Sequence, residues 1–290
     1  MSYPTSGQQA FQGYVSVGGV AFPVTGNTLE MARAPIYPDT IHGGVAARET
    51  SLMNFAYGRK SYSGSLDFPL FATVWATIKD WAVTTRGAKS VVSKKGPTIF
   101  TYANTYCPSM RLTKGPGEAD TVGVSLDLVA KGRTATGAAP TFLATTGATL
   151  NQSPTPAWRG ILTPTGYWSA LVSNIISWSV TVTNNHVILY GGSATQDPEW
   201  IQAGRMDVAW EFTVYPAGVL EGLVDTWIDT QTTPTFGGFT ISLDGGSTTH
   251  LTVPIANIDA FPENLGSVNE KVMRALSGRG VGDGTNGAIY

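Results

Sequence analysis

The stretch Ile176-Ser177-Trp178-Ser179-Val180-Thr181-Val182-Thr183 decides the fold class of this chain. Its apolar residues Ile176, Trp178, Val180 and Val182 alternate strictly with Ser and Thr. Successive side chains of a β-strand point to opposite faces, so the apolar set shares a buried face. Ser177, Ser179, Thr181 and Thr183 then share a wet or interfacial face. A helix needs spacings of three and four, which this stretch lacks. Asn184-Asn185 follows, and because Asn tolerates positive φ the pair reads as a tight turn, with 186–190 returning as a second strand.

The same alternation recurs outward along the chain. Val122, Val124, Leu126 and Leu128 alternate with Gly123, Ser125 and Asp127. Val208, Trp210, Phe212 and Val214 form one such set, and Tyr62, Gly64, Leu66 and Phe68 another. Two stretches read differently. Phe71, Val74, Ile78 and Trp81 recur at spacings of three and four just after Pro69, which predicts a short helix over 70–82. Leu220, Leu223, Val224 and Trp227 predict a second over 218–229, its other face carrying Glu221, Asp225 and Asp229.

These regions repeat in outline. Gly58-Arg59 falls on Gly204-Arg205 at an offset of 204 − 58 = 146, and at that offset Leu66 meets Phe212, Ile78 meets Val224 and Trp81 meets Trp227. Glycine pairs, Gly43-Gly44 and Gly191-Gly192, precede each Gly-Arg. The match lies in the order of features, with few identities. It predicts a mainly β chain of two tandem β-sandwich or split-barrel domains, each with one short flanking α-helix. The boundaries are 1–135 for the first domain, 136–157 for an aperiodic Thr/Ala/Gly/Pro linker, and 158–276 for the second. Residues 277–290 read as a Gly-rich C-terminal arm, which needs a neighbouring subunit to hold it in order.

Composition narrows the function. Of 290 residues, 42% are hydrophobic, enough for a sizeable core, while only 13% are charged, against a usual share of about 25%. Such a surface suits a protein covered by copies of itself. The net charge of −2 supplies no bulk attraction to nucleic acid. Cys107 is the sole cysteine, which excludes an intramolecular disulfide and any all-cysteine metal site, and reads as a buried small hydrophobe. The start of the sequence lacks the basic and apolar regions of a signal peptide, and no apolar run approaches about 18 residues.

Chemistry-bearing motifs are scarce. The glycines around Arg279 have neither the Lys-Ser/Thr ending nor the strand–helix context of a phosphate loop. His42, His186 and His250 are scattered, so no metal site and no cofactor are expected. Gly192-Ser193 and Gly246-Ser247 lack the spacing of a nucleophile elbow. Asp67, Asp207 and Glu211, on strands near aromatics, are the best carboxylates for a glycoside hydrolase. Eight Trp and eleven Tyr invite a glycan-binding reading, but Trp81, Trp178, Trp210 and Trp227 fall on apolar faces, which favours a core or subunit-interface use.

The alternating strand 176–183 ending in Asn184-Asn185, the loop 191–200, and Ile201-Gln202-Ala203-Gly204-Arg205 leading into a strand and helix resemble the phage tail tube proteins, in a duplicated, siphophage-like form. The first half shows the same order, with 43–57 as the loop and Gly58-Arg59 as the lead. The resemblance implies strands that join neighbours into a continuous inner β-barrel, and stacked rings that conduct DNA. Two domains per chain imply a homotrimeric, pseudo-hexameric ring, with a homohexamer as second choice. It implies residence in the virion tail after synthesis in the host cytoplasm, no enzyme activity and no membrane. The implied partners are other copies of the chain, a tape measure protein, tail terminator or baseplate proteins, and DNA in transit without sequence-specific binding.

On this reading Ser177, Ser179, Thr181, Thr183, Ser65 and Asp67 face the channel. Contacts between rings fall to Gly43, Gly44 and Arg48, to Gly191, Gly192, Asp197 and Trp200, and to Arg279. A capsid decoration protein and a glycan-binding β-sandwich module are the alternatives.

Overall fold

The computed structural model describes residues 14–36, 56–95, 98–117, 120–136, 154–192, 196–215, 223, 237–260 and 274–290. The chain is mainly β, in several antiparallel sheets. The first strands are β1 (Tyr14–Val17), β2 (Val20–Pro23), β3 (Gly26–Asn27), β4 (Glu30–Ile36) and β5 (Ala56–Pro69). Helix α1 (Ala72–Lys79) follows and runs on as a wider turn, Asp80–Thr84. Then come β6 (Lys89–Lys95), β7 (Thr98–Lys114), β8 (Gly123–Thr136), β9 (Ile161–Pro164) and β10 (Ile175–Thr183). A hairpin of β11 (Val187–Leu189) and β12 (Trp200–Gln202) precedes β13 (Asp207–Val214). The last strands are β14 (Phe239–Ser242), β15 (Leu251–Val253), β16 (Ile255–Ala260) and β17 (Arg274–Val281).

One 12-stranded sheet dominates, and through it runs the path β4-β5-β8-β7-β10-β13-β17-β16. This path contains one arrangement twice. In β4-β5-β8-β7 and again in β10-β13-β17-β16, the first, second, fourth and third strands in chain order lie side by side, all antiparallel. At the offset read from the sequence, Leu66 pairs with Leu126 on β8, and Phe212 pairs with Leu276 on β17. Leu223, described alone in its region, is helical, as the second amphipathic pattern predicts.

The two four-strand units share a sheet and a core. Met110 pairs with Val182, and Leu112 with Val180, where β7 meets β10. Leu66, Trp81, Leu112, Trp178, Phe212 and Leu276 belong to one buried cluster. Strand β7 holds this together because it is 17 residues long. One of its edges carries β8 throughout; the other carries β6 up to Thr105 and β10 from Ser109. The change of partner falls at a bulge containing Pro108, which has no N–H to give a ladder. Beyond β6 the sheet continues to β1 and β2, and β2 touches α1. Helix α1 buries Val74, Trp75 and Ile78, the wider turn buries Trp81, and the Trp81 Nε1 donates to the Thr105 carbonyl at 3.1 Å.

Two sequence expectations are corrected. Asn184-Asn185 is a corner rather than a hairpin turn, since β11 pairs with β12 and not with β10. Asn184 is buried, and its Nδ2 donates to the carbonyls of Ala82 and Cys107 at 2.8 and 3.0 Å, which ties the end of β10 to the helical layer and to β7. The stretch 277–290 is not a loose arm but is built into the fold of its own chain. Residues up to Val281 complete β17, inside the sheet between β13 and β16. The rest turns at Asp283, whose carboxylate accepts the N–H groups of Thr285 and Asn286. It then returns so that Tyr290 and Thr252 exchange backbone hydrogen bonds, with Ile289 buried. The glycines of β17 serve close packing: at Gly278 a Cβ would meet the Asn257 carbonyl and the Trp210 ring. Of the expected linker, Pro154 and Pro156 bridge to Phe71 and Thr121; 137–153 lie outside the described residues.

Candidate functional site: the polar face of the sheet

Strand alternation divides the eight-strand path into two unlike faces. Phe68, Leu126, Leu112, Val180, Trp210 and Leu276 face the core. The opposite face is hydroxylated and carries scattered charge, and its residues line up in rows across the strands. One row runs Ser65, Asp127, Ser109, Thr183, Asp207. The next runs Asp67, Ser125, Arg111, Thr181, Ala209, Arg279, Asn257. A third runs Gly123, Thr113, Ser179, Glu211, Ser277. Ser177, Ser179, Thr181, Thr183, Ser65 and Asp67, singled out from the sequence, thus stand together on one face.

Local bonds hold this face in shape. The Ser125 hydroxyl donates to Asp67 at 2.6 Å, and the Thr25 hydroxyl donates to the Asp67 carbonyl at 2.9 Å. The Asn185 amide donates to Asp207 at 2.7 Å, and Arg279 pairs with Asp259 at 2.9 Å. Arg279 therefore lies on this face and engages its own chain, away from the loops expected to meet another ring. Sequence reading missed Arg111 and Asp127 as members. The signal was present in Met110-Arg111-Leu112-Thr113, where buried and exposed residues alternate as they do in β10.

The hairpin β11–β12 follows the Thr183 end of β10 through Asn184 and Asn185. Val187, Leu189 and Trp200 are exposed there, with Trp200 at 52%. Gly191 lies against the Glu199 carboxylate, which a side chain there would have to displace. Gly192 is open, and Gly43, Gly44, Arg48 and His42 lie outside the described residues. Asp197 engages β5 of its own chain: it accepts the Tyr62 hydroxyl at 2.6 Å and sits 3.4 Å from the Lys60 ammonium. The Gln196 carbonyl accepts the Lys60 N–H, Tyr190 donates to the Lys60 carbonyl, and Arg59 lies over the Tyr190 ring at 4.8 Å. The loop of the second unit is thereby strapped onto β5 of the first. Burial, then the bond to Asp197, raises the Tyr62 pKa well above the ordinary tyrosine value.

No protein-family model matches the chain, and no curated protein matches it in sequence. Chemistry must therefore be judged from the residues themselves. Asp67 and Glu211 stand on strands separated by three others, about 19 Å apart at about 4.8 Å per strand. Asp207 and Glu211 are four residues apart on one strand, about 13 Å. Neither spacing matches the roughly 5–9.5 Å of a glycosidase pair. Glu221, Asp225, Asp229 and Trp227 lie outside the described residues. His186 is half-buried against Tyr106, with its pKa lowered chiefly by burial, while the His250 Nδ1 lies 2.9 Å from the Thr248 carbonyl. Among the described residues no three of His, Cys, Asp and Glu gather as a metal-holding group, and no helix is long and apolar enough to cross a membrane.

Proposed function

We propose that this chain is a structural subunit of a phage tail tube, a ring-forming protein whose polar sheet face lines a channel for DNA. The observation that carries this reading is the join between β7 and β10. There the last-placed strand of one four-strand unit pairs, edge to edge and antiparallel, with the first-placed strand of the next. Repeating that join between molecules brings β16 of one copy to β4 of another. Among the described residues β4 forms a ladder only with β5 and β16 only with β17, although the Ala256 N–H of β16 also donates to the Gly237 carbonyl at 3.4 Å; each is the outermost strand of the path. Outer edges of this kind invite pairing, and closing them into a ring removes the hazard.

The face that such a ring turns inward suits passage. It is built of Ser and Thr with few cations, so it offers phosphates little to grip. With two units per chain, three chains supply six units to a ring, of sandwich or split-barrel type. Rings then stack through the exposed hairpin β11–β12. The partners on this reading are other copies, a tape measure protein, terminator or baseplate proteins, and transiting DNA, all within the virion.

Negative-stain electron microscopy of the purified chain, with mass measurement in solution, tests the proposal. Rings or tubes with a central hole and three chains per ring are expected. A monomer that persists at high concentration and is indifferent to salt would overturn it.

A further inference from the structure

Arg111 differs from Arg279, the other cation in its row, which is paired with Asp259. The Arg111 side chain is exposed and makes no ion pair or hydrogen bond to any described residue. Three shallow depressions of about 330, 390 and 370 Å³ meet at its side chain. One is lined with Thr113, Ser177 and Ser179, one with Thr113 and Thr121, and one with Thr181 and Arg279. A guanidinium is thus surrounded by hydroxyls that can donate to an anion. The nearest guanidinium along the same row is Arg279, three strands away, about 14 Å at about 4.8 Å per strand.

That spacing fits an extended anion rather than a small one. Successive phosphates of one strand of a duplex advance by about 3.4 Å, so about four steps span the two arginines. The flanking carboxylates set the strength. Asp127 and Asp207 lie in the row on one side and Glu211 in the row on the other, with Asp67 at the end of the arginine row itself. Arg279 is already partly neutralised by Asp259. An anion at Arg111 therefore feels attraction at one point and repulsion on either side.

We propose that Arg111, seconded by Arg279, is a weak, sequence-independent contact for the phosphodiester backbone of nucleic acid. The guanidinium and the hydroxyls of Thr113, Ser179 and Thr181 give phosphate oxygens their donors. The acidic rows keep the contact transient, which lets a long polyanion touch the face without lodging there. The contact requires only this face of one chain and not a closed ring.

The test is fluorescence anisotropy of a labelled 20-base-pair duplex titrated with the purified full chain across a salt series. Expected is binding at low salt that weakens with a log–log slope near −2, as about 0.9 counterion is released per phosphate contact. Arg111→Gln should lower the slope by about 1 and weaken binding equally for unrelated sequences, while Arg111→Lys keeps most of it. Arg159→Gln, on a different surface over Trp158, should change nothing. No binding at low salt, or binding indifferent to Arg111→Gln, would overturn the assignment. A polyglutamate chain that competes equally would overturn the phosphodiester specificity. Loss of duplex binding with intact rings sinks this inference alone; duplex binding by a persistent monomer sinks the tube reading alone.

Discussion

Gly64 and Trp210 occupy the same place in the two copies of the four-strand arrangement, since 210 − 64 = 146, yet one has no side chain and the other has the largest. In the second unit the Trp210 ring fills the core beneath β13, stacked on Phe212 at 4.8 Å and edge-on to Phe239 at 5.9 Å. In the first unit the chain itself fills that space. Between β3 and β4 the backbone at Leu29 closes down on Gly64, the Leu29 side chain is fully buried, and the Tyr102 hydroxyl fixes the Leu29 carbonyl at 2.8 Å. The edge strand is broken as a result: β3 and β4 cover β5 in two pieces, where β10 covers β13 in one. Two copies of one topology can therefore fill the same place in opposite ways, by a large side chain on the central strand or by a neighbour's backbone over a glycine.

The comparison can be broken at its large side chain first. Trp210→Ala should cost about 3–5 kcal/mol, read by denaturant unfolding, because it removes a buried ring packed on Phe212 and Phe239. A cost below about 1 kcal/mol would mean that the second unit closes over as the first does. Next, Gly64→Ala should cost about 1–3 kcal/mol, because the new Cβ meets the Leu29 backbone rather than a movable side-chain tip. A neutral result would show that the break between β3 and β4 is not imposed by packing.

The smallest effect concerns the strap between the units. Tyr62→Phe removes the bond to Asp197 and should cost about 0.5–1.5 kcal/mol near neutral pH. The pH dependence has a definite sign. The folded-state pKa of Tyr62 is raised above its ordinary value of 10.0, so its contribution is complete below that pH. It is lost as pH rises further, because the unfolded chain ionises first. Comparison of thermal midpoints on either side of pH 10.0 should show a shallower alkaline fall in Tyr62→Phe than in the parent chain.

The strands were legible in the sequence wherever a buried face alternates with a hydroxylated one. Ile176 to Thr183 announces both its faces, and Leu66 and Phe212 reveal the repeat at a constant offset. Helix α1 was legible from Phe71, Val74, Ile78 and Trp81 for the same local reason. What stayed hidden depends on partners distant in sequence. Strand β17 looks like a loose tail because Gly278 and Gly280 carry no periodic signal; their value lies in what approaches them, the Asn257 carbonyl at one and the Ala288 carbonyl at the other. Asn184 resembles a turn residue until Ala82 and Cys107 arrive to accept its amide. The face bearing Arg111 became a surface only when β7 was set beside β10, a pairing that alternation within either strand does not encode.

Strand β7 also has a kinetic meaning. Its pairing with β8 is a connection of short range, whereas β10, and through it the second unit, must find the opposite edge across a long stretch of chain. Loop closure over such distances is slow, so the β7–β8 hairpin is the natural nucleus and the second unit condenses on it. Truncating Met110 or Leu112, which face both partners, should then slow refolding more than it hastens unfolding. Truncating Leu276 in β17 should do the reverse. A single long strand would in that way set the order in which two copies of one arrangement come into being.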